Sequence, residues 1–317
     1  MNEFDARKIE PSPYSLETHS PILLSGGSGM LGSSIARAIE SQGIGLLRLT
    51  RKRKTDANSI QWSPDKSEIE APERLNGIGA AIHLSGANIS DHRWTSAYKR
   101  EIWESRVRST HVLSETLARL KHPPEVLIAA SAIGFYGNRG DEILDENSPS
   151  GQGFFPDLCA AWESATQPAI DAEIRVVHLR TGIVLAREAG ALQKMLRVFR
   201  LGLGGPLGNG RQWMSWITES DLVSAVLFLL KRSALSGPVN IVAPNPVTNA
   251  EFTKQLALTL HRPAFMSAPA LGLRIAFGQM ADEALLASAR VSPTKLLNAD
   301  FHFQLPTLDR ALATLLQ

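Results

Sequence analysis

Cysteine occurs once among the 317 residues, at Cys159. That excludes an internal disulfide and a cysteine-based zinc site, and makes a reducing cytoplasm the expected compartment. Tyrosine is also scarce, with only Tyr14, Tyr98 and Tyr136, so chemistry that needs a phenol has few places to find one. No stretch reaches the roughly 20 consecutive apolar residues of a membrane-spanning helix, and no membrane partner is expected. The first twenty residues are polar, mixed in charge and carry two prolines, without the apolar core of a secretory leader. They read as a flexible tail. Charge of one sign is missing too: 33 basic against 31 acidic side chains give +2, too balanced to point to nucleic acid. No His, Asp or Glu spacing suggests a metal. His83 and His178 lie in or beside apolar runs and read as core histidines.

What is present is an alternation. Apolar runs at Ile22 to Ser25, Leu46 to Thr50, Ala80 to Leu84, Val126 to Ser131 and Ile174 to Arg180 read as buried strands, with a shorter one at Ile60 to Trp62. Between them lie helical patterns: Leu31, Ile35, Ala38 and Ile39 at three- and four-residue spacing, Trp94 to Leu120, and Leu158 to Ile170 with Pro168 as a weak point. Strands alternating with helices of about ten residues or more predict an α/β fold, a Rossmann-type doubly wound parallel sheet. Past residue 182 the alternation breaks. A loop with five glycines between Gly202 and Gly210 comes next, and reads as a flexible segment beside the cleft. Asp221 is expected to cap a helix, Val239 to Val242 forms a strand, and helical patches centre on Ala250, Leu271, Ala284 and Ala311. The expected organisation is a tail over 1–20, a nucleotide-binding domain over 21–182 continuing in part to about 245, and a smaller, mostly helical lobe over 183–317.

Gly26-Gly27-Ser28-Gly29-Met30-Leu31-Gly32 falls where the first strand becomes the first helix. A pyrophosphate-binding turn needs glycine for the tight turn, for close backbone approach, and for helix–strand packing. Gly26, Gly29 and Gly32 supply these, and the helix N-terminus offers N–H groups to phosphate. An NAD-binding strand two usually ends in a carboxylate for the ribose 2′-OH. Here it ends Leu49-Thr50-Arg51-Lys52-Arg53-Lys54, which suits a 2′-phosphate instead. Thr50 and Arg51 are the expected contacts and NADP(H) the expected cofactor.

Further motifs follow in order: His83-Leu84-Ser85-Gly86-Ala87, Arg93-Trp94, Glu104-Ser105-Arg106, Ala132-Ile133-Gly134-Phe135-Tyr136-Gly137, Leu179-Arg180-Thr181-Gly182, Arg200 to Pro206, Trp213 to Ile217 and Gly237-Pro238-Val239-Asn240. From about residue 21 onward this series resembles the epimerase family of atypical extended short-chain dehydrogenase/reductases, the SDR39U1-like and YfcH-like proteins. The stretch from about 248 resembles that family's small C-terminal domain. The resemblance implies cofactor contacts at Leu84, Ser85 and Gly86, at Glu101 and Arg106 on the following helix, and at Val184. Glu101 and Arg106, five residues apart, diverge by about 140° around a helix.

A working short-chain dehydrogenase uses a tyrosine with a lysine four residues later. None of the three tyrosines has one: Thr18, Ile102 and Gly140 stand at those positions. Aligned on Trp162-Glu163, the pair falls at Phe155 and Cys159, and phenylalanine donates no proton. Ser131, at the end of the fifth strand, and Tyr136, in the loop after it, are the remaining catalytic candidates. Their bland alternatives are a turn hydroxyl and a packed aromatic. Arg180 and Arg211 are candidates for an anionic substrate group, with pairing to a carboxylate as the alternative for Arg180. The leading reading is an NADP(H)-binding oxidoreductase or nucleotide-sugar epimerase-like enzyme acting on a small or nucleotide-linked substrate, with the nicotinamide supplying hydride chemistry. The rival is a non-catalytic NADP(H)-binding regulatory or sensor protein. The sequence leaves the oligomeric state open.

Overall fold

The computed structural model describes residues 20–52 and 56–317. The expected tail, apart from Ser20, and the basic residues Arg53 and Lys54 lie outside the described residues.

Eight strands form the central sheet: β1 (Ile22–Ser25), β2 (Leu46–Thr50), β3 (Ser59–Ser63), β4 (Glu68–Ile69), β5 (Ala80–His83), β6 (Val126–Ala132), β7 (Arg175–Thr181) and β8 (Gly237–Ile241). Their order is β8-β7-β6-β5-β1-β2-β3-β4. All pairings are parallel except the short β3–β4 edge. β1 and β5 are fully buried, as strands covered on both faces must be, and this is why they stand out as apolar runs. The direction of chain travel reverses between β1 and β5. In an open α/β sheet, ligands bind at such a switch, outside the carboxyl ends of the strands.

The helices are α1 (Met30–Ser41), α2 (Ser96–Ala118), α3 (Phe154–Ser164), α4 (Gln167–Asp171), α5 (Gly190–Arg200), α6 (Glu219–Lys231), α7 (Asn249–Leu260), α8 (Ala270–Phe277), α9 (Thr294–Asn298) and α10 (Leu308–Leu316); α1, α2, α3, α4, α6 and α9 pack on the sheet, whereas α5, α7 and α10 build a core of their own beside it. α1 buries Ile35, Ala36 and Ile39, which pack with Ile22, Leu24 and Ile82 of the sheet. α2 is shorter than the expected 94–120 stretch. Thr95 caps it by accepting from the Tyr98 N–H at 3.2 Å, and Trp94 turns into the cluster with Tyr98, Ile102 and Leu158.

Three local expectations are corrected. The 158–170 helix is two helices, and Pro168 stands in the first turn of α4, where its missing N–H costs nothing. Asp221 does not cap α6. Thr218 does, accepting from the Asp221 N–H, while the Asp221 carboxylate accepts the N–H groups of Gln304 and Leu305 at 2.8 and 3.0 Å. It ties the C-terminal segment to the sheet's own helix. The glycine-rich loop is pinned rather than loose. Met266 N–H donates to Gly204, Ala268 N–H to Pro206, and Gly208 N–H to Ala268. A Cβ at Gly205 would run into the Met266 carbonyl, so close backbone contact, not freedom of movement, is what the glycine serves.

Candidate functional site

The turn after β1 shows a division of labour among its glycines. Gly26 has φ of +75°, and a Cβ there would lie 2.7 Å from the Leu84 carbonyl carbon. Only glycine lets β1 turn so close to the end of β5. A Cβ at Gly32 would run into the Gly26 carbonyl, so its absence brings α1 against the turn. Gly29 differs: its nearest neighbour would be the Gly26 oxygen at 3.4 Å, and both Ser28 and Gly29 face solvent. Gly29 is also the α1 N-cap. It provides no side-chain cap, and no acidic residue sits in the first turn. α2, α6 and α7 are each capped by a threonine hydroxyl, while α1 shares the lack of a side-chain cap with α5, α8 and α10. The first-turn N–H groups of α1 are thus left for an external acceptor. The turn fits a dinucleotide pyrophosphate on these grounds.

The fold gathers most of the expected cofactor positions around this turn. Gly26 lies against Leu84 and Ser85, and a Cβ at Gly86 would meet the Arg106 guanidinium carbon at 3.1 Å. Arg106 donates to the Ala87 and Ile102 carbonyls and stacks over Trp162 at 5.1 Å. Burial lowers its pKa. Glu101 is exposed on another face of α2, as their angular separation implies, so the two are not brought together. Across the cleft, a Cβ at Gly190 would lie 3.7 Å from Met30 Sδ and 3.8 Å from the Val184 carbonyl, which places Met30 and Val184 side by side; Leu31 is half-buried next to Met30 and packs on the sheet core. β2 runs beside β1. It ends at Thr50, whose hydroxyl donates to the Lys52 carbonyl at 2.7 Å, followed by exposed Arg51. Arg211 is exposed on the loop leading to Trp213, and its N–H donates to Asn209.

The catalytic candidates sit deeper and are linked through Glu163 and Arg180. Ser131 Oγ donates to Glu163 at 2.7 Å. Arg180 grips both oxygens of the same carboxylate at 2.8 Å. Its remaining amino group donates to the Tyr136 oxygen at 3.1 Å, and Tyr136 donates to Asn240 Oδ1 at 2.7 Å. Arg180 also lies over Phe135, its guanidinium carbon 3.5 Å from the ring centre. Tyr136 and Asn240 are fully buried, and Arg180 is 4% exposed.

Electrostatics follow from this packing. Burial pushes the Tyr136 phenol up, and the nearby Arg180 charge only partly offsets it. Burial alone would raise the Glu163 carboxyl, but the hydrogen bonds and charge of Arg180 outweigh it and hold it below 4.5. Arg180 is raised in turn, since its pairing with Glu163 exceeds the burial cost. Arg180 therefore takes its alternative role as the partner of a carboxylate. Phe155 faces Gly134 and Trp94, and Cys159 is buried with its thiol pushed up to about 12 by burial. The two histidines behave as core residues. His83 bonds Ser25 at 2.6 Å and Ser109 at 3.2 Å, and burial lowers its pKa to about 3. His178 bonds Thr166 at 2.9 Å. Among the described residues no cluster of three metal-ligating side chains occurs, and no helix is long and apolar enough to cross a membrane.

Glu163, Asn240 and Phe135 were not assigned roles from sequence. The signal for Glu163 was available, because an arginine at a buried strand end requires a carboxylate. Asn240, 104 residues from Tyr136, carries no local signal.

Comparison with known proteins places this geometry. The NAD dependent epimerase/dehydratase family matches residues 22–242, and a domain of unknown function (DUF1731) matches residues 268–315. The chain is 40% identical over 291 residues to the epimerase family protein Mb2239 of Mycobacterium bovis, covering 92% of this chain and 96% of that one. It is also similar to the crystal structure of human epimerase family protein SDR39U1 (isoform 2) with NADPH: 31% identity, 93% of this chain, 98% of that chain and a TM-score of 0.86. A nucleoside-diphosphate sugar epimerase from Corynebacterium glutamicum gives 34% identity and a TM-score of 0.78, over 93% of this chain but 57% of that one.

Proposed function

The chain belongs to the NAD dependent epimerase/dehydratase family, and from that premise we propose that it is an NADP(H)-binding atypical short-chain dehydrogenase/reductase, an oxidoreductase or nucleotide-sugar epimerase-like enzyme. One observation carries the cofactor half of this reading. The open glycine turn at Gly29 leads to an uncapped α1, beside a β2 whose end bears Thr50 and Arg51 and no carboxylate. The human relative solved with NADPH supports the same choice. Gly26 to Leu31 would hold the pyrophosphate, Thr50 and Arg51 the 2′-phosphate. Leu84, Ser85, Gly86, Arg106 and Val184 would line the path toward the carboxyl ends of β6 and β7, and Glu101 would reach it only from its outer face.

A bound nicotinamide supplies hydride transfer. The chain's own residues orient the reacting groups and exclude water. With phenylalanine at 155, a proton must come from substrate, from water, or from a rearranged Tyr136 or Ser131. Arg180 enters such a site through its hold on Tyr136 and Ser131's partner Glu163, leaving Arg211 as the exposed candidate for a substrate anion. A second reading, a non-catalytic NADP(H) sensor, is favoured by one specific observation: Ser131, Tyr136 and Arg180 are all committed to internal partners.

Titration of purified protein with NADPH and NADH, followed by turnover across carbonyl and nucleotide-sugar substrates, tests both. We expect NADPH to bind at least about tenfold tighter than NADH, a difference of about 1.4 kcal/mol, with Arg51→Ala removing most of the gap. Turnover that falls in Tyr136→Phe or Ser131→Ala supports the enzyme. Tight NADPH binding without turnover of any substrate supports the sensor, and equal affinity for the two cofactors sinks the NADP assignment.

A further inference from the structure

Away from the cofactor cleft, α7 turns one face inward and leaves another open. Phe252 and Leu256 are buried in the core of this lobe. Ala250, Thr253, Lys254, Ala257, Leu258 and His261 recur at the three- and four-residue spacing of a single stripe, and that stripe forms one wall of a groove of about 480 Å³. Pro206, Arg262 and Ala264 complete its lining. The stripe runs about 16 Å, some three helical turns.

Apolar side chains continue from the groove onto the surface beside it. Leu258 is 58% exposed, Phe265 78% and Met266 50%. Leu201 and Leu203, 74% and 51% exposed, flank Gly202, which packs toward Pro263. Exposed apolar side chains gathered beside one groove in this way mark a contact site.

Charge and shape say what covers it. The lining holds Lys254, His261 and Arg262 and no carboxylate, and none of the three takes part in an ion pair among the described residues. A second copy related by two-fold symmetry would bring like charges together. His261 ends α7 in the left-handed conformation, φ +52°, where glycine is the ordinary occupant. Its imidazole lines the groove beside Lys254 and Arg262.

We propose that this groove docks an acidic amphipathic helix of about three turns from a protein partner, its apolar stripe on Ala257 and Leu258 and its carboxylates on Lys254 and Arg262. This site is separate from the cofactor turn and does not depend on the reading above.

The test uses the full chain and a fluorescein-labelled three-turn peptide with leucine at i, i+3, i+4 and i+7 and glutamate elsewhere. Saturable one-to-one binding is expected, weakened at least about tenfold, or 1.4 kcal/mol, by Leu258→Asp and by Lys254→Glu with Arg262→Glu. The same peptide with lysine for glutamate should bind at least as much more weakly. His261→Gly should raise Tm yet weaken binding. All four positions are at or near the surface, and unchanged circular dichroism confirms the fold of each variant. The proposal is overturned by absence of saturable binding, by equal affinity for the lysine peptide, or by affinity unchanged in the variants. It is equally overturned if light scattering shows a dimer that Leu258→Asp dissolves, or if the protein pellets with anionic vesicles through the same residues.

Discussion

Glu163 holds the floor of the site together, because two neighbours depend on one carboxylate. Arg180 is bound bidentately and Ser131 donates to it. Removing one member of a buried pair costs more than the pair contributes, since the survivor is left charged and unmatched. Glu163→Gln is therefore expected to destabilise by about 3–5 kcal/mol, read as a lower midpoint in urea. The pH dependence has a definite sign. The folded carboxyl sits below its ordinary 4.5, so its contribution is complete above that value and is lost as pH falls through the lower folded value. The gap between wild type and Glu163→Gln should accordingly be constant from pH 7 to about 5 and narrow below that. A gap that widens on acidification would show that the pair is not what holds Arg180.

Elements show what sequence reveals and what it conceals. Parallel strands buried on both faces announce themselves as apolar runs, so β1, β2, β5, β6 and β7 were legible almost to their ends. β4 is two residues long and carries no period to detect. The α3–α4 break was marked by Pro168, but its position depends on proline's tolerance for a first turn. The buried network was not legible, because Arg180 lies 17 residues from Glu163 and 44 from Tyr136, and only the fold makes them neighbours. Within the β1–α1 turn, the glycines were visible as a set but not as separate roles. The structure separates them, and mutation should too. Gly32→Ala must displace the Gly26 carbonyl, an overpacking expected to cost about 1–3 kcal/mol. Gly29→Ala meets nothing closer than 3.4 Å, so it should leave Tm within a few degrees of wild type while weakening NADPH binding. If the two variants lose stability equally, Gly29 is a packing residue and not part of a cofactor cradle.

The whole molecule does not divide where the family models divide. DUF1731 matches 268–315 as a unit, yet its residues complete other parts of the core. Leu296, Phe301 and Phe303 pack in the same cluster as Val239 and Ile241 of β8 and Leu222 and Val226 of α6. Leu308, Ala311 and Leu312 of α10 join Phe252 and Leu256 of α7. Glu283 reaches back to accept the Phe154 and Phe155 N–H groups at 3.2 and 2.7 Å, so the start of α3 is capped from 129 and 128 residues downstream. A segment that supplies side chains to three clusters, Ala289 and Val291 packing with Tyr136 in the third, and a cap to α3 has no separate core of its own. Deleting 268–317 should expose the buried faces of α6 and α7 and leave β8 without its cover. Each lost aromatic or leucine side chain removes about 2–5 kcal/mol, and several together exceed the 5–15 kcal/mol that holds a typical protein folded. The truncated chain is thus expected to accumulate as insoluble material, and the isolated 268–317 peptide to show no helical circular dichroism. A soluble truncation that melts cooperatively near the wild-type Tm would mean that the nucleotide-binding sheet closes its core without this segment.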